Sequence, residues 1–126
     1  MQNYNSKSKI DIKKRAFKYA LEIIKLIDQL GNQDLSVQVI ARQLLKSSTS
    51  IGANIVEAQA SSSKREFTNF LNHSLKSANE TKFWLALLRD SGKAKKELAN
   101  HLLEETSELA NILASSILTL KGKRKS

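Results

Sequence analysis

The chain has 126 residues and a formal charge of +9, with four glycines, no proline and no cysteine. The length suits one domain, 1–126, that is long enough to bury a core. Without cysteine, thiol catalysis, disulfides and cysteine metal sites are excluded, and so few turn formers point to long helices joined by short turns.

No apolar run approaches the ~18 residues that a membrane span needs. The start, "MQNYNSKSKIDIKK", has no apolar h-region and so does not read as a secretory signal. These features give the cytoplasm as the expected location, with no membrane partner. The positive excess favours anionic partners such as nucleic acid, acidic protein or lipid headgroups, and it also serves solubility.

The first periodic segment covers about 8–30. Ala16, Ala20, Ile23, Ile27 and Leu30 recur at three and four, and Phe17, Leu21 and Ile24 widen the stripe. This is the pattern of an amphipathic helix. Gly31-Asn32 supplies the stop, with Gly31 free to take a left-handed conformation.

The second segment covers about 36–61, with Val37, Ile40, Ala41, Leu44, Ser48, Ile51, Ile55 and Ala58 on one stripe. Asp34 or Ser36 is placed to cap its start. Gly52 weakens a helix by about 1 kcal/mol relative to alanine, but the pattern resumes in register at Ile55.

The third segment covers about 64–91. In "SKRE", Ser63 stands at the N-cap with Glu66 three residues on, a capping box. Phe67, Phe70, Leu71, Ser74, Ala78, Thr81, Trp84, Leu85 and Leu88 form its stripe, and Gly92 marks the stop. The fourth segment covers about 93–120, with Leu98, Leu102, Thr106, Leu109, Leu113, Ile117 and Leu120 repeating at three and four. A basic tail, 121–126, follows and is expected to fray.

Four helices with such short connections must alternate in direction. The predicted fold is all-α, an antiparallel up-down-up-down four-helix bundle. A heptad count places Ser47 and Asn54 on an inward seam of the second helix, facing Ser74, Ser77, Ala78 and Thr81 of the third. Small residues there permit close backbone approach. A buried Asn54 either fixes helix register or joins Glu57 and Glu80 in a polar pocket for a metal or ligand. A di-metal bundle, however, calls for Glu-x-x-His motifs that this chain lacks. His73 and His101 stand alone, and the isolated glycines make no phosphate loop. No metal, cofactor or catalytic residue is expected. Trp84 reads as core, whereas exposure of Tyr19 or Phe83 would mark a contact between subunits.

The cations cluster. Lys7, Lys9, Lys13, Lys14, Arg15 and Lys18 load the first helix, and Lys121, Lys123, Arg124 and Lys125 load the tail. An up-down bundle sets both groups at one end. Lys64 and Arg65 are expected at the opposite end, leaving the charge unconfined to one pole. Lysine and arginine bind phosphate without a base-reading motif, and no recognised nucleic-acid module is present.

The runs "LLKSSTSIGANIVEA" (44–58), "SSKREFTNFLNHSLKSANET" (62–81) and "KFWLALLRDSG" (82–92) closely resemble a small bacterial four-helix-bundle family. Its members are called 23S rRNA intervening-sequence proteins or S23 ribosomal proteins. The resemblance covers about 24–92 well and the fourth helix only in pattern; after Gly92, "KAKKE" departs from many relatives. It implies a ring-like homopentamer. It also implies kinship with the accessory bundle protein of diversity-generating retroelements, a basic pentamer that associates with a reverse transcriptase and nucleic acid. The family's motif positions match as Ser50, Asn54, Glu57, Ser63, Lys64, Glu66, Phe67, Phe70, Ser77 and Glu80. The resemblance implies that they are a signature of packing and assembly, with no established catalytic role.

The resulting expectation is a non-enzymatic, self-assembling bundle, a pentamer, that binds RNA or DNA. Lys13, Lys14, Arg15 and Lys18 are the expected contacts, helped by Lys121, Lys123, Arg124 and Lys125. The alternatives are a protein–protein interaction module without direct nucleic-acid binding, and a metal or ligand site near Asn54, Glu57 and Glu80.

Overall fold

A computed structural model describes residues 11–31 and 34–125, with side chains as far as Gly122. Four helices account for nearly all of them: α1 (Ile12–Leu30), α2 (Leu35–Gln59), α3 (Lys64–Asp90) and α4 (Lys96–Lys125). Residues 8–10, where the first helix was expected to begin, and Asn32 of the expected stop lie outside the described residues. Among the described residues there is no strand.

Two of the helix starts, those of α1 and α3, carry a side-chain cap. The Asp11 carboxylate accepts from the Lys14 backbone N–H at 3.2 Å, satisfying one of the donors that a first turn leaves free. Asp34 is the N-cap residue of α2, but its side chain does not cap. It holds the Lys93 ammonium at 2.7 Å instead, tying the α1–α2 turn to the α3–α4 turn. Ser63 accepts from Glu66 N–H at 3.0 Å, and the Glu66 carboxylate accepts from Ser62 N–H at 3.1 Å. The box therefore closes one residue earlier than the reciprocal pattern predicts. Gly31 and Gly92 end their segments at φ 73° and 76°, conformations that suit glycine. α4 runs on to Lys125, past the expected end of the helix near Leu120. Lysine and arginine are good helix formers, and cations suit a helix C-terminus.

Consecutive helices pack side by side, and α1 closes the square against α4. Cross-helix pairs fix the antiparallel register. Gly52 lies against Ala16, Ser74 donates to the Ile51 carbonyl at 2.8 Å, and Arg15 meets Glu105. The core runs along the axis through Ile23, Leu26, Leu44, Ile51, Ile55, Leu85, Leu88, Leu102 and Leu109, all essentially inaccessible.

The α2–α3 contact is built from small residues, with Ser47, Ser48, Ser74, Ala78 and Thr81 buried there. The Ser47 and Thr81 hydroxyls are hydrogen-bonded at 2.8 Å. Among the described residues every buried side-chain polar atom has a partner, so close approach carries no desolvation penalty from an orphaned group. The register role expected of Asn54 falls instead to these hydroxyls. Asn54 is half-buried and donates to the Ser50 carbonyl of its own helix at 2.8 Å.

α1 is turned relative to its expected stripe. Tyr19 and Leu26 are buried, each 1% accessible, while Phe17, Leu21 and Ile24 face outward. Ala16, Ile23 and Leu30 lie nearly one above another, and residues on either side of that line compete for the interior. On the Tyr19–Leu26 side the buried phenol finds a hydroxyl partner, Thr106, on α4.

Candidate nucleic-acid interface

Because helices alternate in direction, α1 and α3 run parallel and their N-termini share an end. The expectation that Lys64 and Arg65 lie opposite the first helix's cations is therefore corrected. The register of Gly52 with Ala16, and of Ser74 with Ile51, brings the start of α3 to the end where α1 begins. α4 finishes at this end too, with Lys121 exposed.

This pole holds Lys13, Lys14, Lys64, Arg65 and Lys121, all exposed. Among the described residues none of these side chains has a carboxylate partner. Two of the nearby carboxylates, Asp11 and Glu66, are turned to backbone N–H groups. Glu57 is the remaining exposed acid on the last turns of α2.

The other pole differs. Lys93 pairs with Asp34 at 2.7 Å and Arg89 with Asp90 at 2.8 Å. The Arg89 hydrogen bond holds the exposed Asp90 carboxyl below its usual range. Lys95 and Lys96, also exposed there, have no ion pair among the described residues. Two cations at this end are thus held in ion pairs, whereas none of the five at the first end is.

The expected contact residues separate into groups. Lys13, Lys14 and Lys18 are free and exposed. Arg15 is not free, since its guanidinium grips both oxygens of Glu105 at 2.6 and 2.9 Å, with Glu108 at 3.7 Å. That hydrogen bonding raises its pKa further, against the opposing effect of burial. The side chains of Lys123, Arg124 and Lys125 lie outside the described residues, although their backbone continues α4.

The signature positions serve structure. Ser50 donates to the Lys46 carbonyl at 2.8 Å, and the Ser77 carbonyl accepts from Thr81 at 2.8 Å. Phe67 and Phe70 pack half-buried against the core, and Ser63 and Glu66 form the cap. Asn54, Glu57 and Glu80 do not converge. Thr81 pairs with Ser47, so in antiparallel helices Glu80 stands near the level of Ser48, more than one turn from Asn54. Glu57 is exposed, and Glu80 accepts from the Trp84 indole N–H at 2.9 Å. Among the described residues no three histidine or acidic side chains are grouped to hold a metal ion. His101 stands 3.6 Å from Glu22 on the exposed α1–α4 groove.

Sequence reasoning missed the outward apolar residues of α1 and α2, whereas exposure of Phe83 was the condition it set for a contact between subunits. Phe17, 68% accessible, leads an outward stripe continued by Leu21 and Ile24. Leu45 and Val56 flank Gly52 on the edge of α2 that meets α1, and they too are exposed. Phe83 is 57% accessible on α3, with Trp84 braced against it edge-on at 5.0 Å. No described helix is long and apolar enough to cross a membrane.

Fold and surface together define a basic four-helix bundle whose exposed cations at the start of α1 and α3 have no carboxylate partner among the described residues. The chain belongs to the 23S rRNA-intervening sequence protein family, whose profile matches residues 8–115. It is similar to a solved structure from Bacteroides thetaiotaomicron VPI-5482, described as a protein with unknown function from the S23 ribosomal protein family. The two are 36% identical over 84% of this chain and 97% of that one, with a TM-score of 0.78. Neither description specifies a catalytic activity. No curated protein matches the chain significantly.

Proposed function

We propose that the protein is a non-enzymatic, self-assembling bundle of the cytoplasm that binds RNA or DNA through its basic pole. The observation that carries this reading is that Lys13, Lys14, Lys64, Arg65 and Lys121 all lie toward one end of the bundle, exposed and without carboxylate partners among the described residues. Free cations bind a phosphate backbone by releasing its counterions, with no need for a base-reading motif. The family name, which refers to an rRNA insertion, is consistent with this chemistry.

Assembly is supported by the outward Phe17, Leu21 and Ile24, continued onto α2 by Leu45 and Val56. A contiguous apolar surface of this kind is unfavourable in water and marks a protein contact. The oligomer we propose is the homopentamer that the family resemblance implies. The same surface favours a second reading, an interaction module for a different protein that does not itself touch nucleic acid.

Two measurements separate these readings. Light scattering gives the mass of the purified protein, and a monomer would refute self-assembly. Fluorescence anisotropy with labelled RNA and DNA at about 50 mM salt tests binding, with affinity expected to fall steeply as salt rises. Undetectable binding, or binding unchanged in Lys13→Glu/Lys14→Glu, would leave the interaction module as the better account.

A further inference from the structure

We infer that the outer face of α3 is a track for single-stranded nucleic acid, running from the basic pole to Phe83. This rests on the nucleic-acid reading above and adds the strand state of the ligand and the path it takes.

The residues are Arg65, Asn69, Asn72, Lys76, Asn79 and Phe83. They recur at intervals of four and three, which stacks them in one nearly straight line along the helix. Asn72 is half-buried and the others are exposed. Among the described residues none of the five polar side chains makes a hydrogen bond or ion pair. Such a line on a solvated helix ordinarily mixes both signs of charge, yet no carboxylate stands on it. The nearest acids lie beside it, Glu66 on the Ser62 N–H and Glu80 on the Trp84 indole.

The chemistry of the line is specific in kind. Arg65 and Lys76 supply positive charge for phosphates. Three amides offer donors and acceptors to phosphates, sugars and base edges. Phe83 presents an exposed ring held edge-on against Trp84, whose position the bond to Glu80 fixes. An exposed aromatic is a stacking platform for an unpaired base, and a duplex offers it no free face. From Arg65 to Phe83 is roughly 27 Å at 1.5 Å per residue, room for about eight nucleotides of a stacked strand at 3.4 Å each.

The test is anisotropy on the full chain with a labelled twelve-nucleotide RNA strand and the matching RNA duplex, at low salt. Wild type is expected to favour the strand. Phe83→Ala is expected to weaken strand binding by about fivefold or more and to leave duplex binding unchanged, with Phe83→Trp restoring the strand preference. Lys13→Glu/Lys14→Glu is expected to weaken both ligands alike. Equal strand affinity in Phe83→Ala and wild type, with the pole variant still weakened, overturns the track and spares the basic-pole reading. No binding by wild type overturns both. A changed mass of Phe83→Ala in light scattering, with unchanged affinity, makes this face a contact between copies and overturns the track. Phe83 is largely exposed, so the variants are expected to melt as wild type does.

Discussion

The Tyr19 and Thr106 hydroxyls are hydrogen-bonded to each other in the interior between α1 and α4. Thr106 has a single hydroxyl proton, and it goes to the Leu102 carbonyl at 2.6 Å. Tyr19 must therefore be the donor and Thr106 the acceptor. The two deletions are unequal in consequence. Tyr19→Phe removes the donor and leaves Thr106 still bonded to Leu102, a loss of about 1 kcal/mol. Thr106→Val strands a buried phenolic O–H and is expected to cost about 1–3 kcal/mol. Urea denaturation of the two variants measures the difference, and the reverse order would disprove the donor assignment.

The same tyrosine sets an alkaline limit. Burial is the main cause that pushes its phenol well above the ordinary 10.0. The folded state then holds a proton that the unfolded chain releases. Stability contributed by the neutral phenol is complete below the unfolded value near pH 10 and is lost as pH rises above it. Thermal melts from pH 9 to pH 11 are expected to show a steeper fall for wild type than for Tyr19→Phe. Parallel curves would rule this out.

Gly52 faces Ala16 across the α1–α2 contact. A Cβ at position 52 would lie 3.4 Å from the Ala16 Cβ, an ordinary contact at its near limit. Gly52→Ala therefore gains helix propensity of up to about 1 kcal/mol with little steric cost. Gly52→Leu must push α1 outward and is expected to destabilise by about 1–3 kcal/mol. Chemical denaturation distinguishes the two, and a destabilised alanine variant would show that the helices have no room left.

Arg15 and Lys14 are sequence neighbours with different tasks. The Arg15 side chain is 21% accessible and bonds both oxygens of Glu105. Arg15→Gln is expected to lower stability by about 1 kcal/mol, near the top of the range for partly exposed pairs because the geometry is two-pronged. Its nucleic-acid affinity is expected to stay close to wild type. Lys14→Gln should do the opposite, with stability unchanged within about 0.5 kcal/mol and affinity reduced. Melting and anisotropy on the two proteins suffice, and a marked affinity loss in Arg15→Gln would count against a purely structural arginine.

Much of the architecture was written in periodicity. The stripes of α2, α3 and α4 point inward as their spacing predicts, and Ser63 with Glu66 begins α3 where the capping box places it. α1 was harder to read because apolar residues cover two thirds of its circumference. Spacing alone does not decide between the Phe17–Ile24 side and the Tyr19–Leu26 side, and the hydroxyl that Tyr19 meets lies 87 residues away. Asn54 was misplaced for a related reason. A heptad count gives a direction, while an amide on the rim of the seam can turn back to its own helix. The site was legible in composition but not in arrangement. Lys64 and Arg65 were visible as cations, and their companionship with Lys13 and Lys14 follows only from the parity of helix directions. The availability of each side chain, free for Lys14 and occupied for Arg15, depends on Glu105 and is set by tertiary contact alone.

Lys13, Lys14, Lys64, Arg65 and Lys121 lie toward one end without carboxylate partners among the described residues, so a polyanion is drawn to that end of the long axis first. The rod therefore turns to approach end-first. Orientation of this kind acts on the rate of encounter more than on the lifetime of the complex, and added salt removes it. In the assembly proposed above, the property would be set by symmetry. Subunits arranged side by side with parallel axes bring these ends together on one rim, whereas antiparallel neighbours separate them.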